Sequence, residues 1–307
     1  MSYTAYPKIG ETLPAATPKT RWAVTEKVHG ACFCCVYDTA TKTFSFGKRR
    51  AMLQEGDEFF GYRAALVDDV LPKLERMCEE AAPTAAVVCV YGELFGDGVQ
   101  TGIEYSTQLR LYVFDILVDR EFVDYQELLR LCERHDVLHA APLAIYSTYG
   151  EAISHPLGFN TRLGEKKENN AAEGIVVRPL VGGNKVHERF MVKVKIPEFS
   201  ERRYSANPKP TPTTSTMWTT YFENEVFAML TTNRVDAAVS KEGAVTRDRP
   251  YLQRLLAEFT GDVMNELRSY DEFCALSQAA QREVTEYATQ QCKHYLQKEL
   301  MTRLGLE

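Results

Sequence analysis

A lysine side chain becomes a nucleophile only when its amine is neutral. Free in water its pKa is about 10.4, so roughly one molecule in two thousand is neutral near pH 7. Neighbouring cations lower that value, because they disfavour another positive charge. Lys27 lies in TEKVHGACF, residues 25 to 33, with His29 and Gly30 behind it. Lys193 and Lys195 alternate in MVKVKI, so on a strand their side chains share one face. Two like charges side by side on a strand are unfavourable unless an anion lies between or above them. Such cations could both lower the pKa of Lys27 and stabilise an anion held beside it. A lysine followed by x-His-Gly proves little by itself. Its setting is an ordered series: FGKRR, YGELFGDGVQ, LYVFDI, AEGIVVRP and MVKVKIPEF.

The elements that must position these residues are mostly strands. WAVTEKVHGACFCCVYD and KTFSFGKRR are rich in β-branched and aromatic residues, and TATKT between them suggests a hairpin. AAVVCVYGELFG, LRLYVFDILV, GIVVRPL and RFMVKVKI read as further strands, the last two separated by the turn-like VGGNK. Residues 62 to 81 carry apolar residues at helical spacing, with Pro72 expected to kink or divide them, and QELLRLCERHDV reads as a helix. SANPKPTPTTST, residues 205 to 216, has the composition of an extended linker. Beyond it NEVFAMLTTNRVDAAVS, RPYLQRLLAEFTGDVMNEL and SQAAQREVTEYATQQCKHYLQKEL repeat apolar residues near a period of 3.6. The expected fold is α+β: a domain of antiparallel sheets with flanking helices over residues 1–204, and a small all-helical domain over 217–307.

The ordered series resembles the nucleotidyltransferase motifs of covalent polynucleotide ligases, and most closely those of the phage RNA ligase 2 family, which includes the kinetoplastid editing ligases. The histidine of K-x-H-G, FFGY at 59–62 and FSERR at 199–203 carry the likeness. The resemblance implies an ATP-grasp-like ligase fold. It also implies a three-step reaction in which Lys27 takes AMP from ATP, the AMP passes to an RNA 5′-phosphate, and a 3′-hydroxyl expels it. By the same resemblance Lys193 and Lys195 contact the α-phosphate. Glu93 approaches the ribose or the metal, and Glu173 helps to bind Mg2+ or Mn2+, which favour oxygen ligands. Phe114 should stack on adenine, since an aromatic face recognises a base ring without hydrogen bonds. Glu26 would help to frame the adenine, and Asp115 would orient Arg49 or a backbone amide. Arg49 offers a fork for the RNA 5′-phosphate or AMP, Arg178 would reach a nucleotide phosphate, and His29 fills the family histidine position. Lys48, in a basic cluster with Arg49 and Arg50, is a candidate for contacting RNA, and Phe59 or Phe60 would touch the RNA strand bearing the 3′-hydroxyl. In the C-terminal part Arg234, and the pair Asp262 and Glu266 four residues apart on one helix face, are candidates for facing RNA, the acidic pair also for meeting a nearby cation. The family commonly has Thr or Ser and then Asn where this chain has Ala31 and Cys32, which bears on sealing more than on self-adenylylation.

Composition narrows the remaining classes. The formal charge of −6 argues against indiscriminate nucleic-acid binding through bulk charge, though not against a local basic groove. Apolar runs long enough for a membrane span, a secretory signal and a transit peptide are not seen, so an intracellular protein, cytoplasmic or nuclear, is expected. Eight cysteines without a second cluster to match CFCC at 32 to 35 read as reduced thiols rather than as a zinc site. The expected partner is nicked duplex RNA, met by a monomer. Two other readings stay open: a DNA ligase or capping-type nucleotidyltransferase, which would usually add an OB barrel, and an RNA-binding repair scaffold that does not seal.

Overall fold

A computed structural model describes residues 3–13, 18–84, 87–96, 98–166, 168–186, 189–202 and 215–306. In chain order its strands are β1 (Trp22–Lys27), β2 (Ala31–Asp38), β3 (Thr43–Lys48), β4 (Ala51–Met52), β5 (Val87–Phe95), β6 (Arg110–Val118), β7 (Glu121–Phe122), β8 (Pro142–Tyr146), β9 (Gly174–Pro179) and β10 (Val192–Lys195). They form a four-stranded sheet, β10-β9-β1-β8, and a six-stranded sheet, β4-β3-β2-β5-β6-β7. All the paired strands run antiparallel.

Strand alternation gives the four-stranded sheet two different faces. Trp22, Val24, Ile175 and Val177 fill one, packed with α4 (Tyr149–Ile153). Burying each of these side chains contributes roughly 1.5–3 kcal/mol. The other face carries Lys27, Gly174, Arg178, Lys193 and Lys195, as the register requires: Lys27 and Lys195 both lie opposite Gly174, Lys193 lies opposite Val176, and Arg178 opposite Ala23. The six-stranded sheet is likewise two-sided. Phe33, Cys35, Tyr37, Val88, Val90, Val113 and Ile116 build the main core with α1 (Tyr62–Leu66), α2 (Val70–Ala81) and α3 (Tyr125–Arg134). Cys34, Val36, Cys89, Tyr91 and Leu117 face the other way, against Tyr6.

The stretch expected as one helix or a kinked one is divided into α1 and α2, and Pro72 falls in the first turn of α2, where its missing N–H breaks no intrahelical bond. WAVTEKVHGACFCCVYD is not one strand. β1 and β2 belong to different sheets, and residues 28–30 carry the chain between them. Gly30 permits that crossing, since a Cβ there would lie 2.2 Å from the Leu94 carbonyl oxygen.

The chain separates into two units, Met1–Glu198 and Phe199–Glu307. In the second the elements are α5 (Ser215–Met229), α6 (Thr232–Glu242), α7 (Arg249–Leu267), α8 (Asp271–Cys274) and α9 (Gln278–Arg303). α7 buries Tyr251, Leu255, Phe259, Val263 and Leu267, a stripe spaced by four residues. The periodic stretch 224–240 is two helices rather than one. Thr231 is extended, and its hydroxyl accepts the Arg234 N–H, which caps α6. Residues 205–214 of the expected linker, and Arg203 of FSERR, lie outside the described residues. Among the described residues no helix is long and apolar enough to cross a membrane.

Candidate active site

Lys27 ends β1, Glu173 immediately precedes β9, and Lys195 ends β10. Adjacent strands therefore bring three residues far apart in sequence into one row. Lys27 Nζ donates to Glu173 Oε2 at 2.6 Å, and Lys195 Nζ lies 3.1 Å from Glu173 Oε1. The Glu173 side chain is 1% exposed, whereas the lysines keep 20% and 19% of theirs in solvent. Burial works to raise the Glu173 pKa, but Lys27, His29 and Lys195 together outweigh it and hold the carboxyl well below its usual range. His29 Nδ1 lies 3.5 Å from the same oxygen as Lys27. The His29 backbone N–H donates to the Tyr105 hydroxyl at 2.9 Å.

Gly174 makes the row possible for a reason other than ligand access. A Cβ on it would lie 2.0 Å from the Val194 carbonyl oxygen, and its φ of +153° is strained for other residues. The room that glycine leaves is occupied by β10, which brings Lys195 close to Lys27.

The second carboxylate comes from the other sheet. Glu93 lies opposite Cys32 on β2 and opposite Tyr112 on β6. Burial pushes its pKa up to about 7. Lys27 and Arg49 and a hydrogen bond from the Gly30 backbone act to lower it, while Glu173 adds to the rise. Arg49, in the turn after β3, is thus within electrostatic reach of Glu93. Ala31 is fully buried in the main core, so a hydroxyl at that position would not face a substrate. Cys32 is on the Glu93 side. Its thiol is pushed up to about 12, first by burial and then by Glu93, which leaves it protonated and inert.

Between Tyr91–Asp115 and Gly92–Val113 the β5–β6 register slips by one residue. Phe114 is the extra residue, a β-bulge that turns Phe114 and Asp115 toward the same side. Phe114 is half-buried, packing edge-on to Tyr6 with ring centroids 5.0 Å apart. Asp115 is buried and accepts from Tyr6, Arg178 and Arg189, rather than orienting Arg49.

The resemblance implies a divalent ion. Among the described residues no group of three His, Cys, Asp or Glu side chains converges to hold a metal. Glu173 already shares both oxygens with lysines. This donor set suits an ion that arrives with phosphate oxygens and keeps its waters, and does not suit one caged by protein alone. Glu93 and Glu173 are the residues that would hold it.

A family model described as RNA ligase matches residues 20–195, more than half of the 307 residues. The chain belongs to the RNA ligase family. The matched span opens just before β1 and closes on Lys195, the last cation of the row. Mitochondrial RNA-editing ligase 2 of Trypanosoma brucei brucei is 29% identical over 143 residues, which cover 35% of this chain and 33% of the relative. The chain thus spans about a third of that curated relative's length. An RNA ligase mutant from Naegleria gruberi with AMP and Mn is similar with a TM-score of 0.45 at 18% identity, covering 58% of this chain and 50% of the other. A second mutant of that ligase, with ATP and Mn, gives 0.46 at 17% identity over 59% and 51%.

For this RNA ligase family member the structure brings Lys27, His29, Arg49, Glu93, Glu173 and Lys195 into one neighbourhood. Lys193 lies on the same sheet face, and its backbone N–H donates to the Gly10 carbonyl at 3.0 Å. Several other expected residues are placed differently. The Glu26 side chain points to the opposite sheet face, where it accepts from the Thr161 hydroxyl and from the Arg162 N–H at 2.9 Å, so it fixes that loop. Arg178 is buried against Asp115, the Phe114 carbonyl and the Tyr125 ring; its guanidinium serves the fold and not a phosphate. FFGY is not extended. Phe59–Gly61 is a 3-10 turn in which Phe59 is buried beside Phe33, and Phe60, at φ +54°, packs partly against the same core. Lys48 keeps its expected place beside Arg49, at the end of β3, and its carbonyl accepts from the Tyr3 hydroxyl. Arg234 is buried, donating to Asp262 at 2.8 Å and to Glu266. Those three residues satisfy one another inside the helical unit and do not form an RNA-facing patch. Tyr6, Tyr105 and Arg189 reach the site's supports only through long-range contacts, and no local pattern marks them.

Proposed function

We propose that this ligase family member is ATP-dependent, carries AMP on Lys27, and joins a 3′-hydroxyl to a 5′-phosphate at a nick in duplex RNA. One observation carries the reading: a lysine amine 2.6 Å from a buried carboxylate that a second lysine grips from its other side. Such a cluster holds more cation than anion once Arg49 and Lys193 are counted, and it is open enough to admit an anion. Phosphates of ATP answer that surplus. They compete with Glu173 for the lysines, leaving Lys195, Lys193 and Arg49 to stabilise charge on the α-phosphate.

The Lys27 amine then attacks the α-phosphorus; the nitrogen–phosphorus bond forms as the bond to pyrophosphate breaks. An ammonium proton must leave first. Glu173, held well below the usual carboxylate range, is a weak acceptor near neutral pH and acts as an anchor. Glu93, near 7, can exchange a proton there. A divalent ion held by Glu93 and Glu173 would neutralise phosphate charge. The bulge at Phe114 supports stacking of the adenine on that ring. Transfer of AMP to the RNA 5′-phosphate and attack by the 3′-hydroxyl complete the reaction, with the helical unit gripping the duplex by backbone shape.

The test uses the full chain, ATP, Mg2+ and a duplex RNA nicked beside a labelled 5′-phosphate. The label should become resistant to phosphatase. Equal sealing of single-stranded RNA would remove the duplex from the reading. Sealing of nicked DNA alone, or labelling of the protein by GTP and not ATP, would favour the DNA-ligase or capping alternative. A protein–AMP adduct with no sealing of any RNA would favour the scaffold.

A further inference from the structure

The residues on either side of Lys27 are held by segments far away in sequence. Glu26 accepts from the Thr161 hydroxyl and from the Arg162 N–H. Val28 is buried in a cluster with Phe95, Tyr112 and Ala140, and Tyr105 and Leu163 pack against that cluster. The His29 backbone N–H donates to the Tyr105 hydroxyl at 2.9 Å. Lys27 is thus held through its neighbours by two segments, one leading into β6 and the other preceding β9.

A single side chain joins those two segments. Asn170, 3% exposed, accepts the Glu104 N–H on its Oδ1 at 2.9 Å and donates from Nδ2 to the Glu104 carbonyl at 2.7 Å. Its backbone carbonyl accepts the Thr161 N–H at 2.9 Å. Hydrogen bonds therefore run from Glu26 through Thr161, Asn170, Glu104 and Tyr105 to His29, and the covalent chain through Lys27 closes them into a ring. Gly164 lies inside the joint. A Cβ on it would lie 2.5 Å from Asn170 Nδ2, 2.7 Å from the Glu104 carbonyl oxygen and 2.9 Å from Thr161 Cγ2. A buried amide that spends both donor and acceptor on one distant peptide fixes that peptide, and connected bonds in such a network strengthen one another.

We propose that Tyr105 and Asn170 are positioning residues for the nucleophile. They fix the backbone on both sides of Lys27, so that its amine stays on Glu173 and faces the α-phosphate. The inference rests on the reading of Lys27 as the residue that takes AMP. Attack geometry is sensitive to such support, since a misplacement of about 1 Å can cost on the order of 10^2-fold in rate, even when it is introduced far from the chemistry. ATP would meet Lys193, Lys195 and Arg49, which lie on other elements, so its affinity is set outside the ring.

Single-turnover transfer of labelled AMP from ATP to the full chain, without RNA, separates rate from affinity. Tyr105→Phe keeps the ring against Phe95 and loses only the hydroxyl. The maximal rate should fall by about 10-fold, with the half-saturating ATP concentration unchanged. Asn170→Asp keeps the acceptor for the Glu104 N–H and loses the donor, and should slow transfer likewise. The double variant should be no slower than the slower single one, because the two residues act in series. Lys166→Ala removes only an exposed ion pair between the same segments and should change nothing. A second arm uses no ATP: in Tyr105→Phe the Lys27 amine, loosened from Glu173, should be acetylated by acetic anhydride several-fold faster than in the unaltered protein, read by peptide mass spectrometry. Unaltered transfer rates in both single variants, a loss confined to ATP affinity, or an unchanged acetylation rate would overturn the proposal. An unaltered protein that takes up no AMP would instead overturn the reading of Lys27, and the acetylation arm would still decide whether the ring holds that amine in place.

Discussion

Two ionic clusters in this chain are built from similar parts and differ in balance. In the row at the strand ends, Glu173 is gripped by Lys27 and Lys195, with Arg49 and the half-buried Glu93 close by. In the helical unit, Arg234 is gripped by Asp262 and Glu266, and Arg202 adds contacts to Glu225 and Glu266. The first is an anion buried among partly exposed cations. The second is a cation buried among acids, with its neighbours' charges matched by more arginine. A matched, closed cluster has no use for a ligand, and its removal should cost stability. A cation-rich cluster with an open side has a place for an anion, and its removal should cost chemistry. The same residue types therefore separate into architecture and function by exposure and stoichiometry.

Breaking the row should give the largest effect. Glu173→Gln removes the anchor shared by two lysines, and AMP transfer in a single turnover should fall by about 10^2- to 10^3-fold, a typical loss for one preorganised electrostatic group. Melting should move little by comparison. A variant with near-normal transfer would make Glu173 a structural residue like those of the helical unit.

Breaking the second cluster should give the mirror result. Arg234→Ala leaves Asp262 and Glu266 without their buried partner and should cost about 3–5 kcal/mol in chemical denaturation, read by the helical signal. Adenylylation per folded molecule should stay unchanged. A loss of adenylylation at full helicity would erase the distinction between the clusters.

Gly174→Ala sharpens the geometry of the row. The added methyl meets the Val194 carbonyl and forces an unfavourable φ, so β10 must shift and carry Lys195 with it. A destabilisation of about 1–3 kcal/mol is expected, with AMP transfer falling further than stability alone explains. Unchanged transfer would mean that Lys195 need not lie beside Lys27.

The pH effect is smaller and has a defined sign. The folded carboxyl of Glu173 titrates below its unfolded value of about 4.3. Its contribution to stability is therefore present above that value and is lost as pH falls through the depressed folded pKa. The stability gap between the unaltered protein and Glu173→Gln should narrow as the solution is taken below about pH 4, where Glu173 of the unfolded chain takes up a proton before that of the folded one. A gap that widens on acidification would contradict the ion pairs. Smallest of all, raising salt should weaken RNA sealing more than adenylylation, since only the former releases counterions from a phosphate backbone.

Much of this was legible in the order of residues. Alternation predicts the strands of both sheets, and the spacing of Lys193 and Lys195 predicts their shared face. Resemblance ties them to Lys27 and Glu173. What sequence could not convey depends on partners across the fold. The bulge that turns Phe114 and Asp115 together exists only against the register of β5. Arg178 looks like a phosphate ligand until Asp115 and Tyr125 are seen around it. Asp262 and Glu266 read as an acidic pair that could meet a nearby cation, but that the cation is Arg234, on another helix, depends on the fold. Thr231 divides an apparently continuous helix by a single side-chain cap, a local bond that periodicity does not register.

The most direct trial is intact-mass and peptide mass spectrometry of the full chain after incubation with ATP and Mg2+, without RNA. The account predicts one added AMP, released as a modified peptide containing Lys27 and missing from Lys27→Ala. An unmodified chain, or AMP on another residue with Lys27 untouched, would contradict it.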